Sequence, residues 1–190
     1  MPDALYECIT NTNPNSNVNV YTTRYCKPWK PSDKLISFLG VWESGTLNGI
    51  NFQGYMVIDG LILTAYLDSK GHPTVGKGHL IQPGDHIKVG QTITRQRAIE
   101  LANHDIKDAV DGINRRIMVP LHQYEFDALV SLAYNNGAYS HIDDLVKKVN
   151  TGEYYKMFDF IKNFQTGGGL KYRRYTEAKM FASGVYDATH

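Results

Sequence analysis

Apolar residues at Leu35, Phe38, Leu39 and Trp42 follow the i, i+3, i+4, i+7 spacing of one helix face. Ser32 suits the N-cap, Asp33 the first turn and Gly45 the position just past the end. The pattern predicts a helix over 32–44 with Glu43 in its last turn. The period then changes. In GYMVIDGLILTAYLD (54–68), two β-rich runs flank Asp59-Gly60, which predicts a two-residue hairpin turn. Ser69-Lys70-Gly71 marks a second turn. VGKGHLI (75–81) reads as a third strand and QPGDHIKVGQT (82–92) as loop. From Thr94, a good N-cap, the helical period returns. Ala98, Leu101, Ala102, Ile106, Ala109, Val110 and Ile113 mark one face of a single long helix. Phe126, Leu129, Val130 and Ala133 mark another, ending at Asn135-Asn136-Gly137. Three more helices are expected within 141–150, 154–164 and 172–183.

A helix, a small sheet and then a run of helices is an α+β order, with strands segregated from helices. Residues 1–31, with the polar stretch TNTNPNSNVNV and the prolines of CKPWKP, read as an N-terminal arm or extension. The main domain is expected over 32–190, as a small lobe over 32–92 and a helical lobe over 93–190.

Composition narrows the classes. The 190 residues are 42% hydrophobic, enough for a core, and the net charge of +1 creates no field for nucleic acid. No run approaches the ~18–20 apolar residues of a membrane span, so stable membrane insertion is not expected. The start MPDALYE has neither the basic nor the apolar region of a signal peptide. The expectation is synthesis in the cytoplasm and release or delivery by a route that does not read the N-terminus. Cys8 and Cys26 form neither a disulfide framework nor a zinc site; two thiols and a single bridge made after export are both open. With no HExxH and no phosphate loop, no metal or cofactor is expected.

Asp68 and Thr74 sit on the two arms of one predicted hairpin. A carboxylate and a hydroxyl so placed can hold a water between them, the first taking its proton and the second fixing its direction. Each also has a plainer explanation, since Asp is common in turns and Thr in strands.

The stretch LTAYLDSKGHPTVGKGH (63–79) resembles the signature of the phage-type, T4-like lysozymes of glycoside hydrolase family 24. QYEFDALVSLAYNNGAYS (123–140) resembles that family's central helix, and LVKKVNTGEY (145–154) the helix after it. GGGLKYRRYTEAKMFASGVY (167–186) resembles its closing segment. The resemblance covers about residues 32–187. It implies a lysozyme-like fold, with a small mixed lobe built on a β-hairpin sheet and a mainly helical C-terminal lobe. It further implies a monomer that hydrolyses the β-1,4 bond between N-acetylmuramic acid and N-acetylglucosamine in bacterial peptidoglycan, without a cofactor and generally with inversion. Asp68 and Thr74 match the second and third members of the family's Glu, Asp and Thr. His79 matches a histidine that supports the Glu, and Lys77 stands where relatives usually carry Tyr, suggesting a lost wall-facing contact. His72 is expected to be solvated in its turn. Tyr134, Asn135 and Asn136 match a turn near the substrate groove, although Tyr134 also suits core packing. Arg173 and Arg174 match a pair that either binds anionic stem peptides or pairs with Glu177.

The family's Glu is followed by Gly and precedes the Asp by nine residues, a position held here by Asp59-Gly60. Asp59, one methylene shorter, would hold its acid more than about 1 Å from its place, a misplacement that can cost roughly 10²-fold. The alternative is Glu43, at the end of the first helix after Trp42, with an insertion over roughly 46–60 that adds a strand and lengthens the hairpin. Glu43 is the preferred acid. Packed against Trp42 and the core it would retain its proton, while Asp68 in a wetter hairpin would stay ionised. The leading expectation is a phage endolysin released to the cell wall. The rivals are a lytic transglycosylase, a secreted antibacterial effector with 1–31 as an adaptor, and a non-catalytic wall-binding protein.

Overall fold

The computed structural model describes residues 24–139 and 141–190, together with the backbone of two short strands, β1 (Tyr6–Cys8) and β2 (Val20–Thr22), which pair antiparallel. The rest of the expected arm lies outside the described residues. Cys26 is disulfide-bonded; the side chain of Cys8 lies outside the described residues. The chain divides into two compact units, Asp33–Lys107 with Asp187–His190, and Met1–Ser32 with Asp108–Tyr186.

In the first unit, α1 (Asp33–Ser44) buries Leu35, Ile36, Phe38, Leu39 and Val41. It stops where the sequence places its stop: Gly45 has φ +79° and its N–H donates to the Val41 carbonyl at 2.8 Å. Then β3 (Gly49–Ile50) and β4 (Met56–Val57) form a small antiparallel ladder. Ile58 and Leu61 exchange two backbone hydrogen bonds of 2.9 Å around Asp59 (φ +52°) and Gly60 (φ +79°). This is the two-residue turn that Asp-Gly favours. It leads into a three-stranded antiparallel sheet, β5 (Ile62–Leu67), β6 (Pro73–Gly76) and β7 (His79–Leu80), in that order.

The expected third strand is in fact two. Gly76 (φ +70°) and Gly78 (φ +107°) reverse the chain around Lys77, so that Val75 pairs with His79 and Thr74 with Leu80. An apolar pattern broken by Gly-x-Gly hides a turn that only these glycines make cheap. The loop at 82–92 contains one 3-10 turn, Pro83–Asp85. Thr94 caps α2 (Arg95–Asp105), its side chain accepting from the Arg97 N–H at 3.1 Å.

The hairpin turn lies directly on α1. A β-carbon at Gly40 would stand 2.2 Å from the Gly60 carbonyl oxygen, and one at Gly60 would stand 2.5 Å from the Ser37 oxygen. Both obstacles are backbone. Gly40→Ala is therefore expected to destabilise the protein by about 1–3 kcal/mol or more, read as a lowered Tm; an unchanged Tm would contradict this packing.

The expected long helix also divides. It breaks at Ile106 (φ −90°, ψ 3°), and α3 (Lys107–Arg116) follows. The apolar stripe is real, because all its members except half-buried Val110 are buried. Periodicity records which side is buried and does not register a single non-helical residue that preserves the phase.

The second unit contains α4 (Gln123–Asn136), α5 (Asp143–Val149), a 3-10 turn at Tyr154–Lys156, α6 (Met157–Lys162) and α7 (Lys171–Ser183). α4 is buried almost all round, so its polar residues are paired. Asp127 accepts from the Ser32 hydroxyl (2.6 Å), the Tyr186 hydroxyl (2.6 Å) and the Gln123 amide (3.1 Å). Burial still raises the Asp127 and Tyr186 pKa values. From Arg24 onward the arm packs on these helices. Arg24 forks onto Glu125 at 2.7–3.1 Å and lies 3.6 Å over the Tyr154 ring. Tyr25 exchanges backbone hydrogen bonds with Leu121, and Trp29 does so with the Asn114 amide. Among the described residues, no helix is long and apolar enough to cross a membrane.

Candidate active site

Tyr66 and Thr74 are direct partners across β5 and β6, and Asp68 lies two residues beyond Tyr66. Alternation along a strand therefore puts all three side chains on one face. The turn that closes this hairpin also fixes the carboxylate. The Asp68 N–H donates to the His72 carbonyl at 2.9 Å, and Asp68 Oδ1 accepts from the backbone N–H groups of His72 and Lys70, both at 2.8 Å. The His72 ring, expected to be solvated, is more than half exposed, yet its Nδ1 lies 3.4 Å from Asp68 Oδ2. The His72 N–H is the main reason that Asp68 sits below the usual carboxylate range; burial opposes it, and the Lys70 N–H and the His72 ring add to the lowering. Asp68 is thus an anion at neutral pH. Buried Thr74 donates its hydroxyl proton to the same His72 carbonyl at 3.0 Å. Its oxygen lone pairs remain to accept a hydrogen bond.

Glu43 lies in the last turn of α1, beside the Gly-x-Gly turn: a β-carbon at Gly78 would be 3.9 Å from its Cγ. It is exposed, which corrects the expectation that it packs against Trp42 and the core. Trp42 stacks instead on His190, with ring centroids 4.3 Å apart and planes 12° from parallel. A helix-end side chain one position past the apolar stripe points away from it. Both carboxylates nevertheless act electrostatically on one phenol. The Tyr66 pKa is raised, first by burial, then by Tyr55, Asp68 and Glu43.

Asp59 is occupied elsewhere. It holds the positive-φ turn, its N–H donates to Asn48 Oδ1 at 3.0 Å, and its Oδ2 accepts from Arg95 Nε at 3.0 Å.

His79 does not support Glu43 through a ring nitrogen. Nδ1 bonds Asp105 Oδ1 at 2.8 Å and Nε2 bonds Asp85 Oδ2 at 2.9 Å. Burial pulls the imidazole pKa down, but the two carboxylates outweigh it and the net shift is upward. Lys77 is not wall-facing. Its side chain is 1% exposed, with Nζ 3.4 Å from Asp105 Oδ2. The residues 77–79 turn is thus anchored by two cations against two acids. The imidazolium is stabilised relative to the unfolded chain, so its contribution is complete below about pH 6.5 and is lost as pH rises through the raised His79 pKa. Tm is expected to fall across that window, and His79→Gln should flatten the fall. Calorimetry from about pH 6 to pH 9 checks this; an equal slope in both proteins would contradict it.

Tyr134, Asn135 and Arg173 belong to the helical unit. Tyr134 is half-buried near the end of α4. Asn135 Oδ1 accepts from Arg174 Nη2 at 2.7 Å. Arg173 is 7% exposed, with its Nε 3.3 Å from Glu177 Oε1. The pairing with Glu177, one of the two readings open for Arg173 and Arg174, is present. Sequence reasoning missed Asp85 and Asp105 as partners of His79, and Tyr55, whose ring lies 4.4 Å from that of Tyr66. A histidine just past the Gly-x-Gly turn was the available signal for acids nearby, but not for which ones.

The α+β fold around this hairpin is that of solved phage lysozymes. A mutant lysozyme of phage P22 matches with a TM-score of 0.62 at 28% identity, covering 82% of this chain and 99% of that one. The family model described as phage lysozyme matches residues 57–177, and the chain belongs to that family. Its curated relatives include the endolysin of Salmonella phage P22, 41% identical over 80 residues (42% of this chain, 55% of the relative). The endolysin of Bacillus phage PZA is 34% identical over 135 residues (67% and 51%). The chain spans about half the length of these curated relatives. The family match takes in Asp68, Thr74 and His79 and begins after Glu43.

Proposed function

We propose that the protein is a peptidoglycan hydrolase, an N-acetylmuramidase cutting the β-1,4 bond between N-acetylmuramic acid and N-acetylglucosamine, and that it serves as a phage endolysin. The observation that carries this reading is the coupling of Asp68 and Thr74 through His72 on one hairpin face, with Glu43 acting on the same Tyr66. A water donating one hydrogen to Asp68 and the other to the Thr74 oxygen presents a lone pair to the anomeric carbon. Asp68, held ionised, takes its proton as the new C–O bond forms. Glu43 protonates the departing glycosidic oxygen. It is exposed in the free protein, so the bound substrate itself supplies the water-excluding cover over it. A water held by the second carboxylate is the inverting arrangement.

The same water site favours hydrolysis over the transglycosylase reading, which needs an acid but no bound water. Digestion of purified peptidoglycan followed by mass spectrometry tests the proposal. Soluble muropeptides with reducing muramic acid ends are expected. Anhydro ends, or binding to the wall with no soluble fragments, would overturn it.

A further inference from the structure

The segment 46–56 precedes the family match, and the proposed chemistry makes no use of it. It is a stiffly built hairpin. Buried Asn51 accepts at Oδ1 from the N–H groups of Gln53 (3.1 Å) and Tyr55 (2.9 Å), and its own N–H donates to the Tyr55 carbonyl at 3.0 Å. This turn holds Phe52 at 82% exposure, beside Ile50 at 63% and Met56 at 56%. A clustered apolar surface of this kind marks a binding face more often than a scattered single residue does.

Two contacts make this face continuous with the candidate site. A β-carbon at Gly45 would lie 3.3 Å from the Phe52 ring, so the ring stands over the end of α1, two residues past Glu43. The Tyr55 ring packs on Tyr66, whose phenol is acted on by both Asp68 and Glu43.

We propose that Phe52 and Tyr55 form an additional saccharide subsite that takes one pyranose ring of the glycan strand next to the bond being cut. This rests on the muramidase reading and names where the strand extends. Pyranose rings have apolar C–H faces suited to an exposed aromatic face, and binding sites pair such walls with a few polar groups, here the Gln53 amide and the Tyr55 hydroxyl. The hairpin is ordered before binding, so little freedom is lost on contact. The charge pattern favours a glycan over a lipid surface: residues 45–60 contain no Lys or Arg and one carboxylate, Asp59.

The test is calorimetric titration of the N-acetylglucosamine tetramer into the wild type, Phe52→Ala and Phe52→Trp, with circular dichroism to verify the fold. Phe52→Ala is expected to weaken binding by roughly tenfold, and Phe52→Trp to restore it. Unaltered tetramer binding by folded Phe52→Ala overturns the subsite, as does a wild type that binds no tetramer. Loss of binding to anionic phospholipid vesicles with tetramer affinity intact also overturns it, in favour of a lipid partner. Peptidoglycan digestion by the wild type separates the two readings. Digestion with Phe52-independent tetramer binding sinks the subsite alone. Phe52-dependent binding with no fragments released supports saccharide binding at Phe52 but sinks the muramidase, and with it the subsite's place beside a cleaved bond.

Discussion

Glu43→Gln is expected to lower the rate of muropeptide release by about 10²–10⁴-fold, while Asp59→Asn remains close to the wild type. Gln keeps the size and hydrogen-bonding shape of the side chain but has no proton to give to a leaving oxygen. Glu43 is available for that task, being exposed at the end of α1 against Gly78 and within electrostatic reach of Tyr66 beside Asp68. Asp59 matches the family spacing but is committed to a positive-φ turn and to Arg95. Its exposed ion pair contributes less than about 1 kcal/mol, so its loss should hardly alter Tm. Rates read from soluble reducing ends decide the matter. A crippled Asp59→Asn beside an active Glu43→Gln would move the acid to Asp59.

The largest stability effect is expected in the helical unit. Arg174 and Glu177 are both fully buried, with Nη1 2.6 Å from Glu177 Oε2. Glu177 also accepts from the Ser131 hydroxyl at 2.6 Å and from Arg173 Nε at 3.3 Å. Arg174 spends its other donors on the Phe164 carbonyl, Asn135 and Asn136. Glu177→Leu therefore removes the carboxylate that the fully buried Arg174 and the Nε of Arg173 bond. Breaking such a pair costs about 3–5 kcal/mol, which lowers Tm by roughly 6–20 °C in a chain of this size. Thermal unfolding followed by circular dichroism checks this, and a loss below about 1 kcal/mol would contradict the pairing.

The sequence carried the local signals well. The stop of α1 at Gly45, the Asp59-Gly60 turn and the Thr94 cap are each governed by a residue and its nearest neighbours. The α+β order and the family resemblance were legible for the same reason. What failed depended on a third partner. The strand at 75–81 is split because Gly76 and Gly78 take positive φ around a Lys77 drawn inward by Asp105, far along the chain. His79 was expected to serve Glu43, but its nitrogens are taken by Asp85 and Asp105, which no spacing rule connects to it. Glu43 was expected to be packed and is exposed, because it lies one position past the apolar stripe of α1, while Trp42 stacks on His190 at the opposite end of the sequence. The segment over 46–60 was legible as added length and an added strand. That it presents Phe52 over Gly45 and Tyr55 on Tyr66 required coordinates.

The central claim is that water held by Asp68 and Thr74 attacks the muramic anomeric carbon. Peptidoglycan digestion in water enriched in oxygen-18, quenched promptly with borohydride to block exchange, tests it most directly. The account predicts soluble fragments carrying one heavy oxygen at C1 of muramic acid. Fragments that end in anhydro-muramic acid without the label would contradict it.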